Sequence, residues 1–223
     1  MAGRVAAAGF AVLRFDRRGI GDSEGEDSGF RGNEVEIRSA IQLLRERSGA
    51  KRIVGFGNCD AASALLLGDG FGLDRLVLAN PWTFDGAEDG PTPQAVRSRY
   101  VSRLADPRQW LRFLRGDVDI RKLATGVRTA TSVAKPSSLS SEIKAKLATI
   151  ETPINVLIAG RDRTGLAFAE AVGPICPIEK CPDADHAFRG AAAQDWLAER
   201  LILALEEARK LDMGGPAELP DRP

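Results

Sequence analysis

A cysteine, an aspartate and a histidine occur along this chain in an order that could support covalent catalysis. Cys59 stands in residues 55–64, GFGNCDAASA, Asp162 follows a strongly apolar run, and His186 is the only histidine. A thiol attacks a carbonyl carbon when an imidazole takes its proton and a carboxylate orients that imidazole. The residue types therefore predict Cys59 as nucleophile, His186 as base and Asp162 as the orienting acid.

The residues around Cys59 predict a sharp turn from a strand into a helix. A nucleophile on such a strained turn needs small residues two positions before and two after it, and Gly57 and Ala61 meet that requirement. The following helix would direct its positive dipole end at the thiol, and the backbone N–H of Asp60 is the predicted oxyanion donor. The alternative is that Cys59 is only a small buried residue.

His186 and its acid are both predicted to lie on loops that follow strands. His186 belongs to the polar stretch 182–188, PDADHAF, just before the final helical pattern. Asp162 directly follows the run 154–161. The alternative is that Asp162 is a charged residue of a solvated turn, because an arginine stands on either side of it. Asp85, after an earlier apolar run, is the alternative acid. Nucleophile, acid and histidine in this order are typical of the α/β-hydrolase fold.

Strand and helix patterns alternate along the chain, which predicts an α/β fold with a mostly parallel sheet flanked by helices. Helices are expected where apolar residues recur at helical spacing, over 34–47 and 193–210. The strands are expected at five short runs rich in Val, Ile and Leu, the last of them weak: 10–15, 52–56, 75–79, 154–159 and 175–179.

Residues 83–151 interrupt the alternation with arginine-rich amphipathic pieces and no convincing strand. A long helical excursion between parallel strands usually lies over their carboxyl ends, so a helical cap insertion is predicted here, with ordinary packing helices as the alternative. Tyr100, Trp110 and Phe113 are the candidate substrate-binding residues of this cap, or else packing residues. The Gly- and Pro-rich stretch 212–223 is predicted to be a disordered tail.

Composition narrows the class of protein. The 223 residues suit a single domain, and 31 basic against 31 acidic residues do not favour nucleic acid as a partner. Three cysteines do not make a disulfide framework and suit a cytoplasmic location. No apolar run is long enough for a membrane span. The expected partner is therefore a small-molecule acyl substrate, and composition leaves the oligomeric state open.

No cofactor and no metal are expected. The glycines of residues 19–21, GIG, follow a predicted strand, but the dinucleotide-binding spacing fails at Glu24 and no apolar helix follows. Cys176, Cys181 and His186 are evenly spaced, yet a structural zinc site needs four nitrogen or sulfur ligands with tighter pairs.

Residues 15–25, FDRRGIGDSEG, are similar to the D-x-R-G-x-G-x-S segment of α/β-hydrolases. Together with GFGNCDAASA, LVLANPW and DADHAF, this segment resembles the exosortase A system-associated hydrolases, which accompany exopolysaccharide production in Gram-negative bacteria. The resemblance runs from Gly3 to about Leu211. It implies a cytoplasmic protein of the α/β-hydrolase fold with Cys59, Asp162 and His186 as nucleophile, acid and base.

The resemblance also implies strands and a His-Gly loop ahead of Met1, so an N-terminally truncated domain that lacks one oxyanion donor is expected. Either the start is placed too late or the chain is a fragment with little activity. The predicted reaction is hydrolysis of an ester, thioester or lactone, and the triad also resembles that of dienelactone hydrolases. The alternative is a non-catalytic protein that binds an acyl or glycan intermediate or a partner in the export machinery.

Overall fold

The computed structural model describes residues 1–84 and 137–210, and within them four parallel strands form one sheet. The strands lie side by side in chain order, namely β1 (Val54–Asn58), β2 (Arg75–Ala79), β3 (Ile154–Ala159) and β4 (Ile178–Cys181). The register places Asn58 beside Ala79, Ala79 beside Leu157, and Ala159 beside Cys181. All four carboxyl ends therefore meet at one edge of the sheet.

Six α-helices flank this sheet in the described ranges. They are α1 (Ala2–Ala7), α2 (Glu34–Ser48), α3 (Asp60–Leu67), α4 (Ser138–Thr149), α5 (Arg163–Val172) and α6 (Ala191–Lys210). Short 3₁₀ turns span Phe30–Gly32, Asp69–Gly72 and Gly173–Ile175. Ser137 caps α4 by accepting a hydrogen bond from the Ser140 N–H, which satisfies one of the free donors at the helix start.

Alternate residues of the central strands supply two separate cores, as the period of two in a strand requires. Leu76, Leu78, Val156 and Ile158 pack against α2, α3, α4 and α5 on one face. The residues between them face the other way and pack against α1 and α6, and this second set comprises Val77, Ala79, Leu157 and Ala159. A sheet covered on both faces explains why these strands read as continuous apolar runs.

Most of the elements predicted from the sequence are confirmed. β2 and β3 have the predicted bounds, β1 and β4 begin two and three residues later than predicted, and the helices predicted at 34–47 and 193–210 are α2 and α6. In α6 the predicted apolar positions Leu197, Leu201 and Ala204 are buried.

The strand predicted at residues 10–15 was wrong. These residues have no strand assignment, and Val12 and Phe15 expose 40% and 47% of their surface. A short apolar segment forms a strand only when a neighbouring strand supplies the hydrogen-bonding ladder, and in the described ranges no strand pairs with residues 10–15.

Within the predicted cap, residues 83–84 and 137–151 are described and the remainder lies outside the described residues. Helix α4 packs against α3 and α5 and buries Leu139, Ile143 and Leu147 in the core. The Ser137 hydroxyl donates a hydrogen bond to the Thr83 carbonyl. The chain therefore leaves the described fold and returns to it at adjacent points. The predicted tail, 212–223, also lies outside the described residues.

Candidate active site

The predicted catalytic residues lie at the edge of the sheet where the strands end. Cys59 follows β1, Asp162 follows β3, and His186 lies on the loop between β4 and α6. In open α/β sheets the carboxyl ends of the strands are where ligands bind. The topology thus brings residues 162 and 186 to the same edge as residue 59, which precedes both of them by more than a hundred positions in sequence.

Cys59 has a strained backbone at the junction of β1 and α3. Its φ is 62° and its ψ is −124°, a combination that few residues other than glycine adopt. The surrounding chain holds this conformation, because the Cys59 N–H donates to the Ala79 carbonyl at 2.9 Å. The Cys59 carbonyl accepts from the N–H groups of Trp82 at 3.2 Å and Ser63 at 3.3 Å. The thiol is therefore carried by a turn whose backbone bonds are satisfied by β2 and α3.

Gly57 is the residue that lets α3 begin so close to β1. A Cβ atom at position 57 would lie 2.6 Å from the carbonyl carbon of Ala61 and 2.6 Å from the Ala62 nitrogen. Both are backbone atoms of the first turn of α3 and cannot rotate away. The requirement for a small residue two positions before the cysteine is thus steric and has a defined partner.

The surroundings of the Cys59 thiol raise its pKa above the ordinary value for cysteine. Burial raises its pKa, the carboxylates of Asp60 and Asp162 raise it further, and a hydrogen bond from the Asp60 backbone lowers it. Asp60 is the first residue of α3 and directly follows Cys59, which is the location expected for the predicted oxyanion donor.

Arg17 connects the Asp60 side chain to the loop that follows α1. Its guanidinium donates to the Asp60 carboxylate at 2.8 Å and lies 3.3 Å from the Asp27 carboxylate. These contacts, hydrogen bonding to Asp60 foremost, raise the arginine's pKa. The FDRRGIGDSEG segment predicted no such role, and only the tertiary structure places Arg17 beside the residue that follows Cys59.

The side chains of Asp162 and His186 face each other. His186 Nδ1 lies 3.1 Å from Asp162 Oδ2, and the Asp162 side chain is 8% exposed whereas that of His186 is 43% exposed. The same Asp162 oxygen accepts from the Gly165 N–H at 2.8 Å and caps α5, which holds the carboxylate in place. With Nδ1 engaged by a carboxylate, Nε2 is the ring nitrogen left to accept a proton.

Among the described hydrogen bonds, none joins the Cys59 thiol to His186. The residue before Cys59 does contact the histidine loop, because Asn58 Nδ2 donates to the His186 carbonyl at 3.1 Å. Asn80, fully buried after β2, donates to the same carbonyl at 3.3 Å. Sequence reasoning missed both asparagines. The available signal was a polar amide directly at the carboxyl end of each of two apolar strands.

The other candidate residues divide into two groups. Asp85, Tyr100, Trp110 and Phe113 lie outside the described residues, so their predicted roles stay predictions. Cys176 and Cys181 are described and both have free thiols, as does Cys59. Within the described ranges no three potential metal ligands come together. No helix in these ranges is long and apolar enough to cross a membrane.

Comparison with known proteins identifies the family. Residues 2–200 match the model of the alpha/beta hydrolase family. An alpha-beta serine hydrolase homologue from Coxiella burnetii superposes with a TM-score of 0.50 at 14% identity, over 86% of this chain and 67% of its own. The esterase domain of a Rhodothermus marinus protein superposes with a TM-score of 0.51 at 15% identity, over 91% and 75% of the respective chains. No functionally curated protein matches the sequence.

Proposed function

Because the chain belongs to the alpha/beta hydrolase family, we propose that it hydrolyses an ester, thioester or lactone with Cys59 as nucleophile. The observation that carries the proposal is the backbone of Cys59, at φ 62° and ψ −124° between β1 and α3. Strain of this kind is retained where the surrounding structure enforces it, and it clusters at active sites. A cysteine that served only as a small buried residue would not need this strained backbone conformation.

The proposed reaction begins with proton transfer from the thiol. Burial raises the Cys59 pKa, so a base has to remove the proton as the sulfur attacks. His186 is the only histidine in the chain, and its Nδ1 faces Asp162, which leaves Nε2 as the base. The sulfur bonds to the carbonyl carbon, Nε2 takes the thiol proton, and the carbonyl oxygen becomes an oxyanion facing the Asp60 N–H.

Collapse of this intermediate expels the alcohol or thiol, which leaves with the proton from His186, and produces a thioacyl-enzyme. His186 then removes a proton from water, and the resulting attack releases the carboxylic acid and regenerates Cys59. The Asp60 amide stabilises both oxyanions, a contribution typically worth about 100- to 1000-fold in rate for one such donor. Thiolate is a good leaving group, so thioesters and lactones fit this site better than amides.

The finer assignments are proposals of the same kind. The adjacent positions of Thr83 and Ser137 support an insertion over the carboxyl ends of the strands, from which Tyr100, Trp110 and Phe113 would contact the acyl group. The quoted sequence motifs support a link to exopolysaccharide and exosortase systems. Three free cysteines support a cytoplasmic location, where disulfides are rare.

A binding protein without catalysis is the second candidate. The observation in its favour is that the thiol pKa is raised and that no described hydrogen bond joins Cys59 to His186. Such a protein would bind an acyl or glycan intermediate, or a partner in the export machinery, at the same edge of the sheet. It would retain Cys59 for packing alone, so Cys59→Ser would leave its affinity for the ligand unchanged.

Labelling of the thiols by a chloroacetamide probe, followed by intact and peptide mass spectrometry, separates the two candidates. Cys176 is a matched internal control, because it is also half-buried and burial also raises its pKa. An enzyme is labelled faster at Cys59 than at Cys176, and His186→Ala slows only the Cys59 reaction. Equal labelling of both thiols, or labelling of Cys59 that ignores His186→Ala, would contradict the proposed catalytic role.

A further inference from the structure

We propose that Asn58 and Asn80 are positioning residues that hold His186 over the nucleophile. The two side-chain amides converge on the His186 carbonyl, Asn58 Nδ2 at 3.1 Å and Asn80 Nδ2 at 3.3 Å. The inference rests on the proposed function, in which His186 is the base. It assigns to two strand ends the task of fixing the backbone of the loop that carries the imidazole.

The hydrogen bonds determine how both amides are oriented. Asn80 Oδ1 accepts from the Ala159 N–H at 2.8 Å, and a backbone N–H can only donate, so the other Asn80 atom is the NH₂ group. That NH₂ group lies 3.1 Å from Asn58 Oδ1, which makes the remaining atom of Asn58 a donor as well. The N–H of Ala159 in β3 therefore fixes the orientation of both amides, with the NH₂ group of each asparagine directed at the His186 carbonyl. A carbonyl oxygen accepts hydrogen bonds, so it is the right partner for two NH₂ donors.

Asn80 is committed to this network. It is fully buried, its φ is 43°, and asparagine is one of the few residues that adopt this left-handed conformation readily. Its side chain bonds β3, Asn58 and the histidine loop together, so the carboxyl ends of β1, β2 and β3 share one set of hydrogen bonds. A buried amide is tolerated only when its bonds are made, and here they are made to the candidate catalytic loop.

The histidine loop is anchored on both sides of His186. Ala184 is buried, and Phe188 is buried and stacks on Trp196 of α6 with ring centroids 6.1 Å apart. The asparagines hold the carbonyl of His186, and Asp162 holds its Nδ1. The imidazole is thus fixed at its backbone and at its ring, which leaves little freedom for Nε2.

One residue, Asn58, links the backbone of His186 to that of Cys59. Asn58 is the residue immediately before Cys59, so the contact that fixes the His186 carbonyl comes from the same strand that carries the thiol. A displacement of a catalytic group by about 1 Å can cost about 100-fold in rate. The two asparagines therefore act on the alignment of His186 with Cys59 and not on binding of the substrate.

The test compares Asn58→Ala with Asn155→Ala as a matched control. Asn155 is also a half-exposed asparagine of the sheet, but it accepts from Arg75 at 3.0 Å near the amino ends of β2 and β3, away from the site. Asn155→Ala loses one hydrogen bond between elements, and Asn58→Ala loses two, to the His186 carbonyl and from Asn80. Asn80→Ala is a third variant, and if it fails to fold the comparison of Asn58 with Asn155 still decides.

Two readouts are needed, because the loss of a hydrogen bond that only stabilises the fold would lower the melting temperature and change neither of them. The first is kcat and KM on an activated thioester. The second is the imidazole signal of ¹⁵N-histidine-labelled protein without a histidine tag, since His186 is the only histidine and its ring nitrogens are observed without overlap. Wild type is expected to show one tautomer, with Nδ1 protonated.

Asn58→Ala is expected to lower kcat about 10-fold with KM within about twofold, and to mix the tautomers or broaden the ring signals. Asn155→Ala is expected to leave both readouts at wild-type values. Unchanged ring signals in folded Asn58→Ala would overturn the inference, as would equal effects of the two variants. If wild type itself shows no turnover, the proposed function fails, and the ring signals alone then decide whether the asparagines position His186.

Discussion

Replacing Gly57 by alanine tests the strained turn most directly. The added Cβ would lie 2.6 Å from the Ala61 carbonyl carbon, 2.6 Å from the Ala62 nitrogen and 2.7 Å from the Ala61 oxygen. Nonbonded carbon contacts are normally about 3.5 to 4.0 Å, so the overlap with the backbone of α3 is about 1 Å. The start of α3 has to move, and it takes the Asp60 N–H with it.

The cost of this movement is expected in both stability and activity. Overpacking of this kind typically costs about 1–3 kcal/mol. At about 2–4 °C per kcal/mol for a chain of this length, the melting temperature falls by about 2–12 °C. A shift of about 1 Å at the oxyanion donor and the thiol is expected to lower kcat/KM about 100-fold. The melting temperature is measured by calorimetry, and kcat/KM is measured on an activated thioester.

Gly55→Ala is the matched control on the same strand. Its Cβ would approach Leu73 Cδ1 at 2.6 Å and Leu76 Cδ2 at 3.2 Å, which are the ends of flexible side chains that can rotate. It is expected to cost stability while leaving kcat/KM within about threefold of wild type, because no backbone atom of α3 has to move. The reasoning is refuted if Gly57→Ala and Gly55→Ala have the same kcat/KM.

Three further predictions concern the charges around the thiol. Asp162→Asn retains an acceptor for the cap of α5 but loses the charge that faces His186, so kcat is expected to fall by up to about 10⁴-fold with little change in melting temperature; an activity near wild type would remove Asp162 from the site. In the variant His186→Ala, burial still raises the pKa of the Cys59 thiol above its ordinary value. Alkylation of Cys59 by iodoacetamide is therefore expected to be slow at neutral pH and to become about tenfold faster per pH unit toward alkaline pH. An alkylation rate that does not change with pH would contradict this. Since the Asp60 carboxylate raises the Cys59 pKa, Asp60→Asn is expected to speed alkylation at a fixed pH, and Arg17→Met, which leaves that carboxylate without its arginine, is expected to slow it; the same direction of change in both variants would contradict this electrostatic account.

The central part of the fold could be read from local sequence. β2 and β3 are buried on both faces, so their apolar runs begin and end where the strands do. The segment 10–15 has the composition of a strand but not the structure, because pairing depends on a neighbour that lies elsewhere in the chain. The helix at Ser138–Thr149 lies inside the predicted cap, yet it packs in the layer against the sheet. Local periodicity indicates which face of a helix is buried. It does not indicate which other element that face packs against.

The sequence by itself determined the residue types and spacings on which the proposed chemistry depends. It contains one histidine, a cysteine between a strand and a helix with Gly57 two positions before it, and an aspartate at the end of an apolar strand. Those features follow from short-range rules of backbone geometry.

Only the tertiary structure decided which groups meet. It paired Asp162 with His186, joined Arg17 to Asp60, and brought Asn58 and Asn80 to one carbonyl. Arg17 and Asp60 are 43 positions apart, and His186 is 106 positions from Asn80 and 128 from Asn58. Asp162 and His186 are closer in sequence, but they belong to loops after different strands. The physical reason is that a parallel sheet gathers its carboxyl ends at one edge, and the strand order that does so depends on contacts that no local segment contains.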